Sequence, residues 1–381
     1  MKVRVAVHGR FHAFELARGL HARGVLECLQ TTYPRFAARR IVGQDMPLIS
    51  IPHLEIKRRL ASRLGFNTTM DVSIAKGFAQ AVARSLGQSN ADILTGWSSA
   101  TLEAIPTAHE KDMKVVIERG STHIAHQTEV LESTHRGLGL ETRITPAEII
   151  TRELAEYDAA DAIVVPSEIA RSTFISRGVP ARKVFVNHLG VDTSQFSPPT
   201  TPRDNKVPVI LFVGMLSARK GTATLLEAFA QLKQRAELLC VGPVDPHFQK
   251  VLNRLPSSNV TLLGSVSRAD VHDAYRNADI FCLPSVEEGF GMVVLEAMAS
   301  GLPVVLSDQV GAADSIQPGI DGLVVPVGDV TALSNALSSL VSDENSRRRM
   351  GAAAAKKARA SQSWDGYIER TLEIYNSILV S

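Results

Sequence analysis

The sequence predicts an α/β protein built from two doubly wound domains. Short, uniformly apolar runs alternate with helical patterns along its whole length, the signature of parallel α/β layers. At 381 residues the chain is too long for one compact core. Between Ser197 and Pro208 it carries four prolines and no apolar periodicity, which is linker chemistry. The domains are therefore expected over 1–197 and 209–362, joined by a linker at 198–208.

Taken in order, the strands of the first domain are expected at Val3–Val7, Asp92–Thr95, Lys114–Ile117, Ala162–Val165 and Val184–His188. Helical patterns lie between them, for example at Asp71–Ser85 and Ile149–Asp158. The second domain reads as strands at Val209–Val213, Leu238–Val241, Val260–Leu263, Ile280–Leu283, Val304–Leu306 and Leu323–Val325. Runs this apolar are buried on both faces, as strands of parallel sheets are. Ligands of such sheets bind outside the carboxyl ends of the strands, so two facing sheets make a cleft with two half-sites. The closing segment, 363–381, is a helix carrying Trp364, Tyr367 and Tyr375; it either crosses back to the first domain or caps the second.

Composition narrows the function. Hydrophobic residues make up 45% and charged residues 21%, the balance of a globular protein. A net charge of +2 argues against a nucleic-acid binder. The charge is unevenly spread: Met1–Met70 holds 12 Lys and Arg against 4 Asp and Glu, so +8 sits there and −6 in the remainder. A basic segment of that kind points to an anionic partner. Cys28, Cys240 and Cys282 have no metal-ligand spacing, and the last two lie in apolar runs, as buried thiols of a reducing compartment do. The start of the chain, Met1-Lys2-Val3-Arg4-Val5, enters a strand pattern directly, so no signal peptide is expected, and no run reaches the roughly 20 apolar residues of a membrane span. A cytoplasmic protein is expected.

Two segments carry the chemistry. Pro284–Met298 follows an apolar strand and opens a helix; Gly289 and Gly291 let the backbone approach a ligand, and the helix start offers free amides to an anion. Glu288 lies in the loop and Glu296 further along the helix, so one carboxylate can reach a sugar beside phosphates and the other can accept ribose hydroxyls. Val213–Gly221 places Arg219 and Lys220 at a helix start after a glycine turn, a fork and a point charge suited to a diphosphate. Either segment alone could be an ordinary turn with solvated charges; their occurrence on strands of one sheet favours a site.

These motifs resemble the donor domain of glycosyltransferase family 4, the retaining group 1 enzymes of GT-B fold. The match rests on Gly-x5-Lys-Gly at 214–221, Glu-x7-Glu at Glu288 and Glu296, Ala299-Ser300-Gly301-Leu302-Pro303-Val304-Val305, and the hinge Gly190-Val191-Asp192-Thr193-Ser194-Gln195-Phe196-Ser197-Pro198. The resemblance implies two Rossmann-like domains facing across a cleft. It implies that Lys220 binds the donor diphosphate, Glu296 the ribose and Glu288 the donor sugar near its reacting end. Amides at Gly289, Phe290 and Gly291 would face phosphates or sugar, and Gly264–Val266 would hold the base through main-chain atoms. The family often has Arg directly after the glycine where Met215 stands; Arg219 is expected to supply that charge.

In the first domain the family pattern is faint. The loop His8–Arg18 has a single glycine, and the later strand runs into Glu118-Arg119-Gly120-Ser121-Thr122-His123. His12 and His123 are the catalytic candidates there, each against a structural histidine; Glu118 and Arg119 read alternatively as a buried ion pair shaping the acceptor site. No Asp-x-Asp occurs, so no metal is expected, and no Gly-x-Gly-x-x-Gly follows a strand, which argues against a nicotinamide cofactor. The expected reaction is transfer from a UDP- or GDP-linked sugar to a saccharide or lipid-linked saccharide acceptor. An epimerase of the same fold, or a catalytically silent nucleotide-sugar-binding protein, is the alternative. Finally, His53–Phe66 spaces Ile56, Leu60 and Leu64 on one stripe among Lys57, Arg58, Arg59 and Arg63, the outline of a basic amphipathic helix on an anionic membrane or of an ordinary surface helix.

Overall fold

A computed structural model describes the chain apart from residues 64–66, 143–144, 202–206, 234 and 381, and apart from the side chains of 58–71. Two parallel sheets organise it. The first has seven strands in the order β3-β2-β1-β4-β5-β6-β7: β1 Val3–Val7, β2 Leu26–Thr31, β3 Leu48–Ser50, β4 Ile93–Trp97, β5 Lys114–Glu118, β6 Ala162–Val165 and β7 Val184–Val186. The second has six, in the order β10-β9-β8-β11-β12-β13: β8 Val209–Val213, β9 Glu237–Val241, β10 Val260–Gly264, β11 Ile280–Leu283, β12 Val304–Ser307 and β13 Gly322–Val325. In each sheet the strand order reverses at one point, between β1 and β4 and between β8 and β11, and that is where open α/β sheets form their ligand crevice.

Two strands lie outside the apolar runs read from sequence, and the reason is chemical. In β2, Glu27 and Gln30 interrupt the run, yet both find partners. Arg4 Nε donates to Glu27 at 2.7 Å, Ser89 Oγ donates to Glu27 at 2.8 Å, and Ser85 Oγ donates to Gln30 at 2.8 Å. A polar strand residue can be buried once such partners exist. The three-residue β3 is a short edge strand beside it.

The last helix, Trp364–Val380, crosses back to the first sheet. Tyr367, Ile368, Tyr375 and Ile378 are buried. The Tyr375 hydroxyl meets Thr95 of β4 at 2.7 Å, and Asn187 donates to the Tyr367 carbonyl at 3.2 Å and to Thr371 at 2.8 Å. Val191 lies beside Ser363 in a parallel bridge, its amide donating to the Gln362 carbonyl at 2.8 Å, so both chain crossings meet at one hinge. Gly19 is required under this helix: a Cβ there would stand 2.3 Å from Ile368. No helix among the described residues is long and apolar enough to cross a membrane.

Candidate active site

The loops after β8 and β11 leave neighbouring strands at the reversal point, and two glycines let them touch. Gly221 sits at φ +66° with its α-carbon so close to the second loop that a Cβ would stand 1.9 Å from the Pro284 carbonyl oxygen. Gly291, at φ +89°, starts the helix Met292–Ala299. The Val286 amide donates to the Arg219 carbonyl at 2.8 Å, stitching the loops together. This brings Arg219, Lys220 and Glu288 into one cluster. Lys220 pairs with Glu288; Arg219 Nε donates to Glu287 at 2.9 Å and its Nη2 lies 3.8 Å from Glu288. Among the described residues no protein acceptor takes the amides of Gly289, Phe290 or Gly291. The Phe290 side chain itself is buried, stacked on His188 with ring centroids 5.9 Å apart.

Beside this cluster a cavity of about 600 Å³ opens between the domains. Glu296 and Arg268 line it from the second domain, Arg10, Phe11 and His12 from the first, and Trp364 from the crossing helix. Glu296 accepts the Tyr275 hydroxyl at 2.9 Å. Burial pushes its carboxyl above the ordinary value, against the opposing pull of Tyr275 and Arg268. Gly264, at φ +68°, ends β10 and accepts the Gly242 amide at 2.9 Å; Val266 is half-buried on the short loop that leads to Arg268.

The first-domain candidates separate. His12 lines the cavity, lies 3.3 Å from Glu118 and packs on Trp97 at 5.1 Å between ring centroids. His123 is buried between Tyr157 and Phe174, and its Nδ1 accepts the Ala125 amide at 3.2 Å as the cap of the helix Ile124–Gly137. Burial, helped by Arg177 and Arg119, pushes that imidazole down to about 4. Among the described residues no hydrogen bond or ion pair joins His123 to Lys220 or Glu288, although its neighbour Thr122 donates to Glu287. The reading of Glu118 and Arg119 as an ion pair is corrected. Glu118 closes β5 and Arg119 follows it, so their side chains point to opposite faces. Glu118 meets His12 and the Tyr367 hydroxyl, 3.4 Å away, whereas Arg119 donates to Glu153 at 3.0 Å and to Gln127 at 2.8 Å.

Residues 194–357 match the family model described as glycosyl transferases group 1. The matched segment includes Arg219, Lys220, Glu288 and Glu296. A GDP-mannose-dependent monoacylated alpha-(1-6)-phosphatidylinositol monomannoside mannosyltransferase of Corynebacterium glutamicum is 35% identical over 212 residues, 49% of this chain and 55% of the relative. A GDP-mannose-dependent alpha-(1-6)-phosphatidylinositol monomannoside mannosyltransferase of Mycobacterium tuberculosis is 29% identical over 265 residues, 64% of this chain and 68% of that relative. The first of these alignments thus spans just over half of its relative's length. Among solved structures, sucrose-phosphate synthase from Thermosynechococcus elongatus superposes over 100% of both chains with TM-score 0.74 at 19% identity. Anabaena HepE in complex with UDP superposes over 99% of this chain and 100% of its own with TM-score 0.71 at 16% identity. The fold is GT-B.

Three residues in and around the matched segment carry no clear signal in the sequence. Glu287 is buried and collects five hydrogen bonds, four of them from the first domain. The doubled acid Glu287-Glu288, opposite the doubled base Arg219-Lys220, was the available signal. Phe11, 60% exposed at the mouth of the cavity, has φ +41°, a conformation side-chain-bearing residues seldom adopt. Arg268 reaches the cavity from the first turn of its helix; nothing in its local pattern marks it.

Proposed function

We propose that the chain is a retaining, family 4 glycosyltransferase that moves a hexosyl group from a nucleotide sugar to a hydroxyl acceptor. One observation carries the reading: Arg219, Lys220, Glu288 and the helix start at Gly291 converge at the strand-order reversal of the second sheet. Two cations and the amides of Gly289–Gly291 suit a diphosphate, and Glu288 stands beside them where the sugar would continue. Glu296, facing the 600 Å³ cavity, suits the ribose.

The bond from the anomeric carbon to the diphosphate oxygen breaks and its electron pair leaves with the phosphate. The acceptor oxygen bonds to the same carbon on the same face, and its proton passes to the departing phosphate oxygen. The products are the retained glycoside and a nucleoside diphosphate. Lys220 and Arg219 neutralise charge as it grows on the phosphate, and no metal is assigned to that work. Binding the donor requires Lys220 to share or leave its partner Glu288, which frees that carboxylate for the sugar.

The names of the two relatives support GDP-mannose as donor and a phosphatidylinositol-type glycolipid as acceptor; UDP-sugars, surface polysaccharide and other lipid-linked saccharides are the alternatives. A thermal-shift screen of UDP-, GDP- and ADP-sugars, followed by acceptor-dependent release of the matching diphosphate, tests the reading. A single nucleotide class should stabilise the protein, with release only when acceptor is added. Binding without transfer to any acceptor would favour the silent binding protein, and interconversion of the sugar without acceptor would favour the epimerase.

A membrane-facing role at the inner leaflet of the plasma membrane is part of the proposal. The helix Pro52–Arg63 forms, with Ile56 exposed and Lys57 beside it; the side chains of Arg58, Arg59, Leu60 and Arg63 and residue Leu64 lie outside the described residues. The helix Arg35–Val42 adds Arg35, Arg39 and Arg40 around Phe36, which is 68% exposed, and both helices flank one groove. Each cation near an anionic surface contributes about 1 kcal/mol. Salt-sensitive pelleting with anionic but not neutral vesicles is expected, reduced by Lys57→Glu/Arg58→Glu/Arg59→Glu; no pelleting at low salt removes the role.

A further inference from the structure

Glu287 is not explained by donor chemistry. Its carboxylate is 2% exposed, and both oxygens are fully used. One takes the Ser121 hydroxyl at 2.5 Å, the Thr122 hydroxyl at 2.8 Å and the Thr122 amide at 3.3 Å. The other takes the Gln127 side-chain amide at 3.0 Å and Arg219 Nε at 2.9 Å. A carboxylate has about four lone-pair sites, so this one is saturated. Only Arg219 belongs to its own domain; the other donors lie across the cleft.

The contact is a seat, not a stray bond. Gly289 meets the opposite loop so closely that a Cβ would stand 2.2 Å from the Gly120 carbonyl oxygen. Ser167 Oγ donates to the Gly289 carbonyl at 2.8 Å from the same side. Behind the first contacts, Gln127 Oε1 accepts from Arg119, whose guanidinium is fixed by Glu153. A continuous chain therefore runs from Glu153 through Arg119, Gln127 and Glu287 to Arg219. Its far end is the arginine whose Nη2 lies 3.8 Å from Glu288.

The geometry points to Glu287 as a positioning residue that couples closure of the cleft to the diphosphate clamp, delivering Arg219 to the donor only when the Gly120–Thr122 loop is seated. This rests on the proposed role of Arg219 in diphosphate binding. With the cleft closed, four first-domain donors occupy the carboxylate, which holds Arg219 by Nε alone and leaves its Nη edge to the donor. With the cleft open those donors are withdrawn, and the two oxygens are free to take the guanidinium as a bidentate fork, the stronger arrangement. Arg219 is then turned away from the phosphates. Burial alone would raise the Glu287 carboxyl, but Arg219 and the hydroxyl and amide donors hold it down at about 2, so it remains charged and available at working pH.

Ser121, Thr122 and Gln127 thereby control nucleotide affinity from the opposite domain. The test titrates GDP and UDP into the full chain by calorimetry and records small-angle scattering of the same samples. The proteins are wild type, Glu287→Gln, Ser121→Ala/Thr122→Val, the triple variant combining these, and Arg219→Ala. Glu287→Gln and Ser121→Ala/Thr122→Val should each weaken binding of whichever diphosphate the wild type takes by about tenfold, the loss expected from charged hydrogen bonds. The triple variant should be no worse than either, because both act through one contact. Both should also scatter as a more open particle than wild type. Additive losses, or a defect in Glu287→Gln with none in Ser121→Ala/Thr122→Val, would overturn the coupling. So would wild-type scattering from both. Nucleotide binding indifferent to Arg219→Ala would instead overturn the clamp assignment, and the scattering result would then report on closure alone.

Discussion

The two walls of the cleft are held together by different means. On the second-domain side the charged residues come in two adjacent pairs, Arg219-Lys220 and Glu287-Glu288, on loops that leave neighbouring strands and are joined by a backbone hydrogen bond. On the first-domain side His12, Trp97, Glu118 and Tyr367 meet from the loop after β1, from β4, from β5 and from the C-terminal helix, and a separate network ties Arg119 to Glu153 and Gln127. The second-domain wall is thus local, and can keep its arrangement with the sheet that carries it. The opposite wall depends on a helix that arrives from the far end of the chain, so its geometry and its stability are one property.

That contrast predicts where damage spreads. The largest effect is expected for Tyr367→Ala, which removes a buried aromatic from the crossing helix and should cost about 4 kcal/mol in urea unfolding. Proteolysis should then attack the first domain before the second; simultaneous loss of both would break the distinction. Next comes Lys220→Ala, expected to leave the melting temperature nearly unchanged while lowering kcat/KM by on the order of 3 kcal/mol, more than a hundredfold. A folded variant with near-normal turnover would remove Lys220 from the diphosphate. Glu296→Ala should weaken nucleotide binding about tenfold, whereas Glu288→Ala should act mainly on kcat, since one contact exists with or without chemistry and the other supports the reacting carbon. The reverse pattern in steady-state kinetics would exchange the two roles.

The smallest effect concerns pH. The Glu287 carboxyl is held at about 2 against an ordinary 4.5, so the folded protein binds fewer protons than the unfolded chain between these values. Its stabilisation is complete above pH 4.5 and is lost as the pH falls towards 2. One unit below 4.5 the loss is about 1 kcal/mol. Urea unfolding of wild type and Glu287→Gln should therefore differ most near pH 7 and converge in acid. A gap that stays constant down to pH 3.5 would detach the stabilisation from this carboxylate.

The same contrast decides what could be read from sequence. β8 and β11 are uninterrupted apolar runs followed by glycine-bearing loops, so the strands and the residues just beyond them were legible together. The crossing helix was legible as a helix, but its destination was not, because the side chains that receive it, Thr95 and Asn187, lie far away in the chain. β2 was hidden by Glu27 and Gln30, whose burial depends on Arg4, Ser85 and Ser89. Glu287 is hidden for the same reason: Ser121, Thr122 and Gln127 are more than 150 positions away, and nothing local marks them as its partners. For Glu118 and Arg119 adjacency misleads, since neighbours along an extended segment face apart.

The proposed nucleotide contact lies on the two loops of the second sheet. Hydrogen–deuterium exchange of the full chain, with and without the nucleoside diphosphate it binds, locates that contact directly. Protection is expected in Gly214–Gly221 and Pro284–Ala299, abolished in the first of these by Lys220→Ala. Protection confined to loops of the first sheet, with Gly214–Gly221 and Pro284–Ala299 exchanging as in the free protein, would contradict it.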